Sequence, residues 1–238
     1  MHDVPVLVAR GFTVDEWECI RLTLRVAFWS VAGGLPPALA IAFLLSRTSF
    51  PGLSLLDALV HLPLVLPPVV TGWLLLLIFG IHGPIGAALH SWFGIQLVFT
   101  TAGASLACGV MVLPVMVRSI RLSMEMADPR LEQAARTLGA SRLDRALTIT
   151  LPLAAPGVLT GLMAAFAASL GEFGAVITFA ASIPGQTQTL PLAIYAALQV
   201  PGGDATAARL SLASLSLAVA ALIGSNALSR RLHRAVQA

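Results

Sequence analysis

Residues 128–152 read DPRLEQAARTLGASRLDRALTITLP, a polar and arginine-rich stretch inside an otherwise apolar sequence. Asp128 is a favoured N-cap residue, and Pro129 after it suits the first position of a helix. Gly139 suits the left-handed residue that ends a helix. A capping-box sequence that begins at Ser141 predicts a second helix running towards the end of the stretch. The stretch therefore predicts two short helices around a glycine.

The first of these helices has a single apolar face. Its apolar residues recur at positions i, i+3, i+4 and i+7, and they are Leu131, Ala134, Ala135 and Leu138. Because two of the four are alanines, this face allows another backbone to approach closely, which suits a helix docked into a cleft of another protein. The alternative is a helix that lies flat on the membrane, but such helices usually carry bulky apolar residues at the centre of their face. Docking is favoured.

The composition is that of a multi-pass membrane protein. Of the 238 residues, 57% are hydrophobic and 11% are charged, compared with about a quarter charged in soluble domains. All fourteen basic residues are arginines, so a P-loop lysine and a Schiff-base lysine are both excluded. The arginines cluster where apolar runs end, which indicates membrane topology and not nucleic-acid binding.

The sequence offers no catalytic or metal-binding motif. Its two cysteines, Cys19 and Cys108, lie far apart, and its five histidines form no HExxH-type cluster. No GxSxG motif is present. We therefore expect no cofactor, no metal and no enzymatic activity in this chain itself.

Five apolar runs are long enough to cross a bilayer, which takes about 20 residues. They predict an all-α membrane domain over residues 1–238, with a cytoplasmic loop at 124–152 and spans at about 20–45, 57–80, 101–122, 153–179 and 208–229. The glycine and proline pairs at 33–37 predict a bend in the first span. The apolar piece within 190–200 is too short to cross, so we expect a re-entrant or interfacial helix.

The second and fourth spans contain irregular backbone. The second reads HLPLVLPPVVTG at 61–72, and broken backbone at membrane depth is tolerated only beside protein or a water-filled cavity. These segments therefore predict a translocation pathway. The residues that we assign to it are Pro67, Pro68, Thr71, Ser169, Gly171, Glu172 and Gly174.

Glu172 is the only carboxylate inside the apolar interior of a span. An ionisable group in that position is costly and indicates a function by default. One interpretation is structural: the carboxylate caps a helix break at the flanking glycines, or it pairs with Arg209 on the last span. The other interpretation is a gate or pathway residue. A transported anion excludes Glu172 as its direct ligand, because like charges repel strongly in a low dielectric.

The arginine distribution predicts the orientation. Ten arginines lie in the turn at 46–56, in 118–150 and in the C-terminal tail, whereas 81–99 and 181–207 have none. By the positive-inside rule, the loop at 124–152 and the C-terminus face the cytoplasm. Five spans then place the N-terminus outside.

The motif in the polar stretch resembles the EAA loop of permease subunits of ATP-binding-cassette importers. Its matching positions are Gln133, Ala134, Ala135, Gly139, Ile149, Leu151 and Pro152. Gln133 occupies the place of the motif's glutamate, and Glu132 precedes it. Four longer segments resemble the molybdate permeases of that family, and less closely its sulfate and thiosulfate permeases; they are 49–72, 131–157, 169–179 and 201–210.

The resemblance implies the five-helix core of a type I importer, which forms a homodimer in the inner membrane. It also implies two cytoplasmic ATPase subunits and an extracytoplasmic molybdate-binding protein, with ATP hydrolysis confined to the ATPase. Coupling to that ATPase is assigned to the motif residues together with Leu131, Glu132 and Leu138. The cargo alternatives are sulfate, thiosulfate and tungstate. A respiratory membrane anchor needs histidine pairs for haem, and an intramembrane hydrolase needs a Ser–His or paired-aspartate set; neither is present.

Overall fold

The computed structural model describes residues 13–126 and 129–236, with side-chain detail omitted at 129, 132, 142, 143 and 225–236. The described chain is helical and has no strand. Its elements are α1 (Val14–Arg47), α2 (Leu53–Val65), α3 (Pro68–Phe79), α4 (Pro84–Phe93), α5 (Thr101–Met126), α6 (Pro129–Thr137), α7 (Arg142–Arg145), a π-helical turn (Ala146–Thr150), α8 (Leu151–Leu170), α9 (Gly174–Ala180), α10 (Leu190–Leu198) and α11 (Asp204–Val236).

Within the described residues, four segments are long and apolar enough to cross a membrane. They are Val14–Arg47, Thr101–Met126, Ala146–Leu170 and Asp204–Gly224. The pair α2 and α3 becomes a fifth span if its two helices, which are bent by 120°, are counted together. The prediction of an all-α, multi-pass fold with up to five spans is therefore confirmed.

The first and fourth spans differ most from the sequence prediction. The first span begins at Val14, six residues before the predicted start, and continues as one helix through Pro36 and Pro37. The fourth predicted span is divided, because α8 ends at Leu170 and α9 begins after a three-residue break. The break that was predicted from the prolines of the second span separates α2 from α3.

Helix α5 lies at the centre of the bundle, between α1 and α8. Met116 and Ile120 on α5 are fully buried in a cluster with apolar residues of both neighbours. On α8, the small-xxx-small pair predicts a close helix contact. A Cβ atom added at Gly157 would lie 2.3 Å from the Cβ of Ser123, and one added at Gly161 would lie 3.0 Å from that of Ser119. The glycines therefore let α8 pack directly on α5.

The start of α1 is tied to the last helix. Thr13 and Glu16 form a complete capping box. The carboxylate of Glu16, only 4% exposed, also lies 2.8 Å from the Arg209 guanidinium on α11. The alternative that Arg209 pairs with Glu172 is therefore wrong. About two turns further along α1, the Thr23 hydroxyl accepts a 2.8 Å hydrogen bond from the backbone N–H of Leu190, the first residue of α10.

Candidate functional site

The loop at 124–152, which we call the coupling loop, connects the two central helices α5 and α8. Its first helix, α6, makes its main contacts with α7 and the π-helical turn. Leu131 is 48% exposed and Leu138 is 87% exposed, while Ala134 is exposed and Ala135 half-buried. The predicted apolar face is thus left open to a partner. Asp128, the predicted N-cap, and the side chain of Glu132 lie outside the described residues.

The end of α6 is built as the sequence predicts. Gly139 has φ +86°, the left-handed conformation that glycine adopts without strain. The N–H of Ala140 donates to the carbonyl of Ala135, and the N–H of Gly139 donates to that of Arg136, at 3.0 and 3.1 Å. This is the hydrogen-bond pattern of a Schellman motif. The chain therefore reverses sharply after a helix of only two and a half turns.

The second half of the coupling loop runs without interruption into α8. Ser141 caps it, because its hydroxyl accepts a 3.1 Å hydrogen bond from the backbone N–H of Asp144. The π-helical turn follows, and the N–H of Leu151 donates to the carbonyl of Ala146, five residues earlier. Ile149 is half-buried, whereas Leu151 and Pro152 are exposed. The second half of the loop is thus joined to α8 by continuous helix.

The other end of the coupling loop is held at the C-terminal end of α5. The guanidinium of Arg121 contacts the carboxylate of Asp57 on α2 at 3.2 Å and that of Glu125 at 2.7 Å. The guanidinium of Arg47, at the end of α1, donates to the carbonyl of Met124 at 3.0 Å. The sequence analysis missed these ties, because pairs 64 and 77 residues apart leave no local pattern. They fix the position from which the loop leaves the bundle.

The two helix breaks lie against each other. The first break, residues 66–67, separates α2 from α3, and the second, residues 171–173, separates α8 from α9. A Cβ atom added at Gly174 would lie 2.6 Å from the Cβ of Pro68, and one added at Gly72 would lie 2.8 Å from the carbonyl oxygen of Ala175. Glycine is needed at both positions for α3 and α9 to approach this closely.

Glu172 caps the start of α9. Its carboxylate accepts a 3.0 Å hydrogen bond from the backbone N–H of Ala175, while the N–H of Glu172 itself donates to the carbonyl of Ser169. A negative charge at a helix N-terminus is also favoured by the helix dipole. The carboxylate therefore caps the helix break, as the structural interpretation requires, and its assignment to the pathway stays a prediction.

The seven pathway candidates fall into two groups around these breaks. Pro67, Pro68 and Gly171 are exposed, and Glu172 is partly exposed. Thr71, Ser169 and Gly174 are buried in the single chain. Ser169 donates to the carbonyl of Ala165, whereas the hydroxyl oxygen of Thr71 has no hydrogen-bond partner among the described residues. The breaks bring the candidates together, and Thr71 is the one with an unused polar group.

Comparison with known proteins identifies the family. The family model described as the inner membrane component of binding-protein-dependent transport systems matches residues 38–236. The chain belongs to this family. Like its relatives, it is a multi-pass permease of the inner membrane and a transport subunit, not an enzyme.

Relatives across this family share much of the sequence. The molybdenum transport system permease protein ModB of Escherichia coli (strain K12) is 52% identical over 92% of this chain and 95% of the relative. ModB of Haemophilus influenzae is 50% identical over 92% of the chain and 96% of the relative. The sulfate transport system permease protein CysT of Escherichia coli (strain K12) is 37% identical over 91% of the chain and 77% of the relative.

Solved structures share the fold at low sequence identity. A bacterial alginate transporter, in complex with its alginate-bound periplasmic protein, superimposes with a TM-score of 0.73 over 98% of this chain and 83% of its own, at 18% identity. An inward-facing form of the MetNI methionine transporter gives a TM-score of 0.65 over 97% of this chain and 98% of its own, at 14% identity. The fold is that of type I importer permeases.

We expect Gly174→Ala to destabilise the permease, because the new methyl group overlaps the ring of Pro68. Overpacking of this kind costs about 1–3 kcal/mol. Gly171→Ala is the matched control, since its added Cβ has no neighbour closer than 3.9 Å and its φ of −100° suits alanine. Thermal unfolding of the two purified variants measures the difference. Equal stability of both variants would contradict the close contact between the breaks.

Proposed function

We propose that this chain is the permease subunit of an ATP-driven importer that carries molybdate across the inner membrane. The observation that carries the proposal is the 52% identity to a molybdenum transport permease over 92% of the chain. In this proposal two copies of the chain associate with two cytoplasmic ATPase subunits and with an extracytoplasmic molybdate-binding protein. The alternative cargo is sulfate, thiosulfate or tungstate, since a sulfate permease is 37% identical over a similar length.

The proposed orientation places the N-terminus outside and the coupling loop and C-terminus in the cytoplasm. The arginine count supports it, because the coupling loop carries arginines and the connections at 81–99 and 181–207 carry none. The structure places the ends of α1 and α5 that carry Arg47 and Arg121 beside the coupling loop. The ATPase then meets the permease at the side where this chain carries most of its arginines.

We propose that α6 docks into a cleft of the ATPase and transmits its movement. Exposed Leu131 and Leu138 lie on either side of Ala134 and Ala135 along this face. The two leucines can anchor the helix in an apolar cleft, and the small alanine side chains between them let another backbone approach. A helix left uncovered by its own chain is the kind of surface that a partner covers. The Schellman turn at Gly139 and the helical continuation into α8 make the loop stiff enough to move the spans.

The pathway is proposed to run beside the two helix breaks. Pro67 and Gly171 leave the breaks exposed on the surface of a single chain, where a second copy would close them off from lipid. In rigid-body alternating access, irregular backbone lines the route. Movement of α3 relative to α9 would expose the hydroxyl of Thr71, which can donate a hydrogen bond to a passing oxyanion without trapping it.

The cargo assignment predicts that a bacterial host lacking its own molybdate permease regains uptake of radiolabelled molybdate when it expresses this chain with its own ATPase and binding protein. Uptake should depend on ATP and persist in a large excess of sulfate. Sulfate uptake without molybdate uptake would identify the alternative cargo. Failure to import any of these oxyanions, with the complex assembled, would reject the proposal.

The docking proposal predicts that Ala135→Trp abolishes transport, because the large ring prevents close approach at the centre of the α6 face. A steric penalty of about 1–3 kcal/mol weakens association by roughly 5- to 150-fold. Thr137→Trp places the same ring on the opposite, exposed side and should transport normally. Co-purification of the ATPase with each variant, together with uptake assays on equal amounts of inserted permease, measures the effect. Normal uptake by Ala135→Trp would count against docking through this face.

The pathway proposal predicts that Thr71→Val retains or raises stability but lowers transport several-fold. A buried hydroxyl without a hydrogen-bond partner destabilises the folded state by about 1–3 kcal/mol, so its replacement by a methyl group should not lower the free energy of unfolding. A transported oxyanion, in contrast, loses a hydrogen-bond donor. Thr178→Val is the control, because the hydroxyl of Thr178 is already bonded to the carbonyl of Gly174. Unfolding temperature and initial uptake rate are the two measurements. Unchanged transport by Thr71→Val would remove this residue from the pathway.

A further inference from the structure

A groove of about 540 Å³ runs along the bundle between α1 and α5, apart from the helix breaks and the coupling loop. Small residues line part of the groove, among them Ser30, Gly33, Gly34 and Gly109. Larger apolar side chains, such as Trp29 and Leu113, line the rest. A Cβ atom added at Gly33 would meet nothing within 4 Å. The groove is therefore an open, narrow and mainly apolar channel on the surface of a single chain.

The length of the groove matches one leaflet of a bilayer. Along α1 it extends from Arg25 to Pro37, and along α5 from Thr101, the first residue of that helix, to Leu113. Twelve positions at 1.5 Å each make about 18 Å. Half of a hydrocarbon core is about 15 Å. The groove thus begins where α5 begins and has about the length of one leaflet.

The end of the groove at the membrane surface is positively charged. Arg25 is exposed, and within residues 13–126 and 129–236 no carboxylate lies within ion-pair distance of its guanidinium. Arg21 lies one turn away, and the two arginines share an adjoining depression with Glu18. Two permanent cations against one carboxylate leave a net positive charge at the depth of the lipid headgroups.

The interior of the groove offers no free hydroxyl donor to an oxyanion. The hydroxyl of Ser30 donates to the carbonyl of Val26, and that of Ser105 donates to the carbonyl of Thr101. The hydroxyl of Thr101 donates to the carbonyl of Gln186. A dianion inside the groove would lose its hydration without compensation, which is costly. An apolar chain, in contrast, gains free energy by covering the exposed walls.

We propose that this groove is a binding site for one phospholipid, whose phosphate contacts Arg25 and whose acyl chain fills the channel down to Pro37. The positive rim, the apolar walls and the one-leaflet length together fit this occupant. In the orientation proposed above the lipid belongs to the outer leaflet. The site is independent of the transported cargo, so the inference stands whichever oxyanion the permease carries. A lipid held here would seal the seam between α1 and α5.

Native mass spectrometry of the purified permease–ATPase complex tests the site by counting phospholipids retained per permease chain. Gly33→Leu adds a side chain to the groove from a position where a Cβ atom meets nothing within 4 Å, and it should lose one phospholipid per chain. Arg25→Gln should lose the same phospholipid at lower detergent concentration than the unmodified complex. Gly224→Leu, which adds the same volume in open space on α11, should retain it. Equal retention by all three variants would overturn the proposal.

A photo-crosslinking amino acid at position 33 of the assembled complex identifies the occupant directly. The expected product is a permease chain carrying one phospholipid. A crosslink to the second permease copy or to another subunit would show that protein fills the groove, and the lipid site would be rejected. This measurement does not depend on whether Gly33→Leu assembles normally.

Discussion

Backbone in the interior of a membrane has to satisfy its own hydrogen bonds, and this constraint shapes the most irregular part of the permease. At the first break the N–H groups of Val70 and Thr71 both use the carbonyl of Pro67. At the second, the side chain of Glu172 supplies the acceptor that α9 lacks at its start. Because the breaks pack together through Gly174 and Pro68, each also covers part of the other. Each helix break alone would expose unsatisfied backbone, but the two breaks together form one junction in which that backbone is partly covered.

The connections around α5 link the coupling loop to this junction. The coupling loop leaves from the end of α5 and returns as α8, and both helices pack closely through Gly157 and Ser123. The Asp57–Arg121 pair joins α5 to α2, the helix that ends at the first break. The second break follows directly after α8. The loop is therefore connected to the second break directly through α8. It is connected to the first break through α5, the Asp57–Arg121 ion pair and α2.

Local chemistry made the helix ends and breaks predictable. Gly139 ends α6 because only a residue without a Cβ atom enters the left-handed conformation at no cost, and Ser141 restarts the helix because its hydroxyl replaces a missing backbone acceptor. Pro67 and Pro68 break the second span because proline has no N–H group. Each of these effects depends on a few consecutive residues, so the sequence reveals them without knowledge of the partners.

Contacts between distant spans were not predictable in the same way. The spans are apolar on every side, so their periodicity does not reveal which face is buried, and neither the Asp57–Arg121 pair nor the groove beside Gly33 leaves a sequence pattern. The start of α1 was missed for another reason: its capping residues, Thr13 and Glu16, precede the apolar run by which spans are located. What covers the exposed face of α6 also depends on a chain other than this one.

The Glu16–Arg209 pair has a consequence for biosynthesis. Its carboxylate emerges from the ribosome near the beginning of translation, and its guanidinium emerges 193 residues later. Until then the nascent chain holds an acid at a position destined to be almost fully enclosed, and such a charge is costly without its counter-ion. A polypeptide that terminates before Arg209 therefore lacks the counter-ion for this carboxylate, and the start of its first helix stays uncompensated.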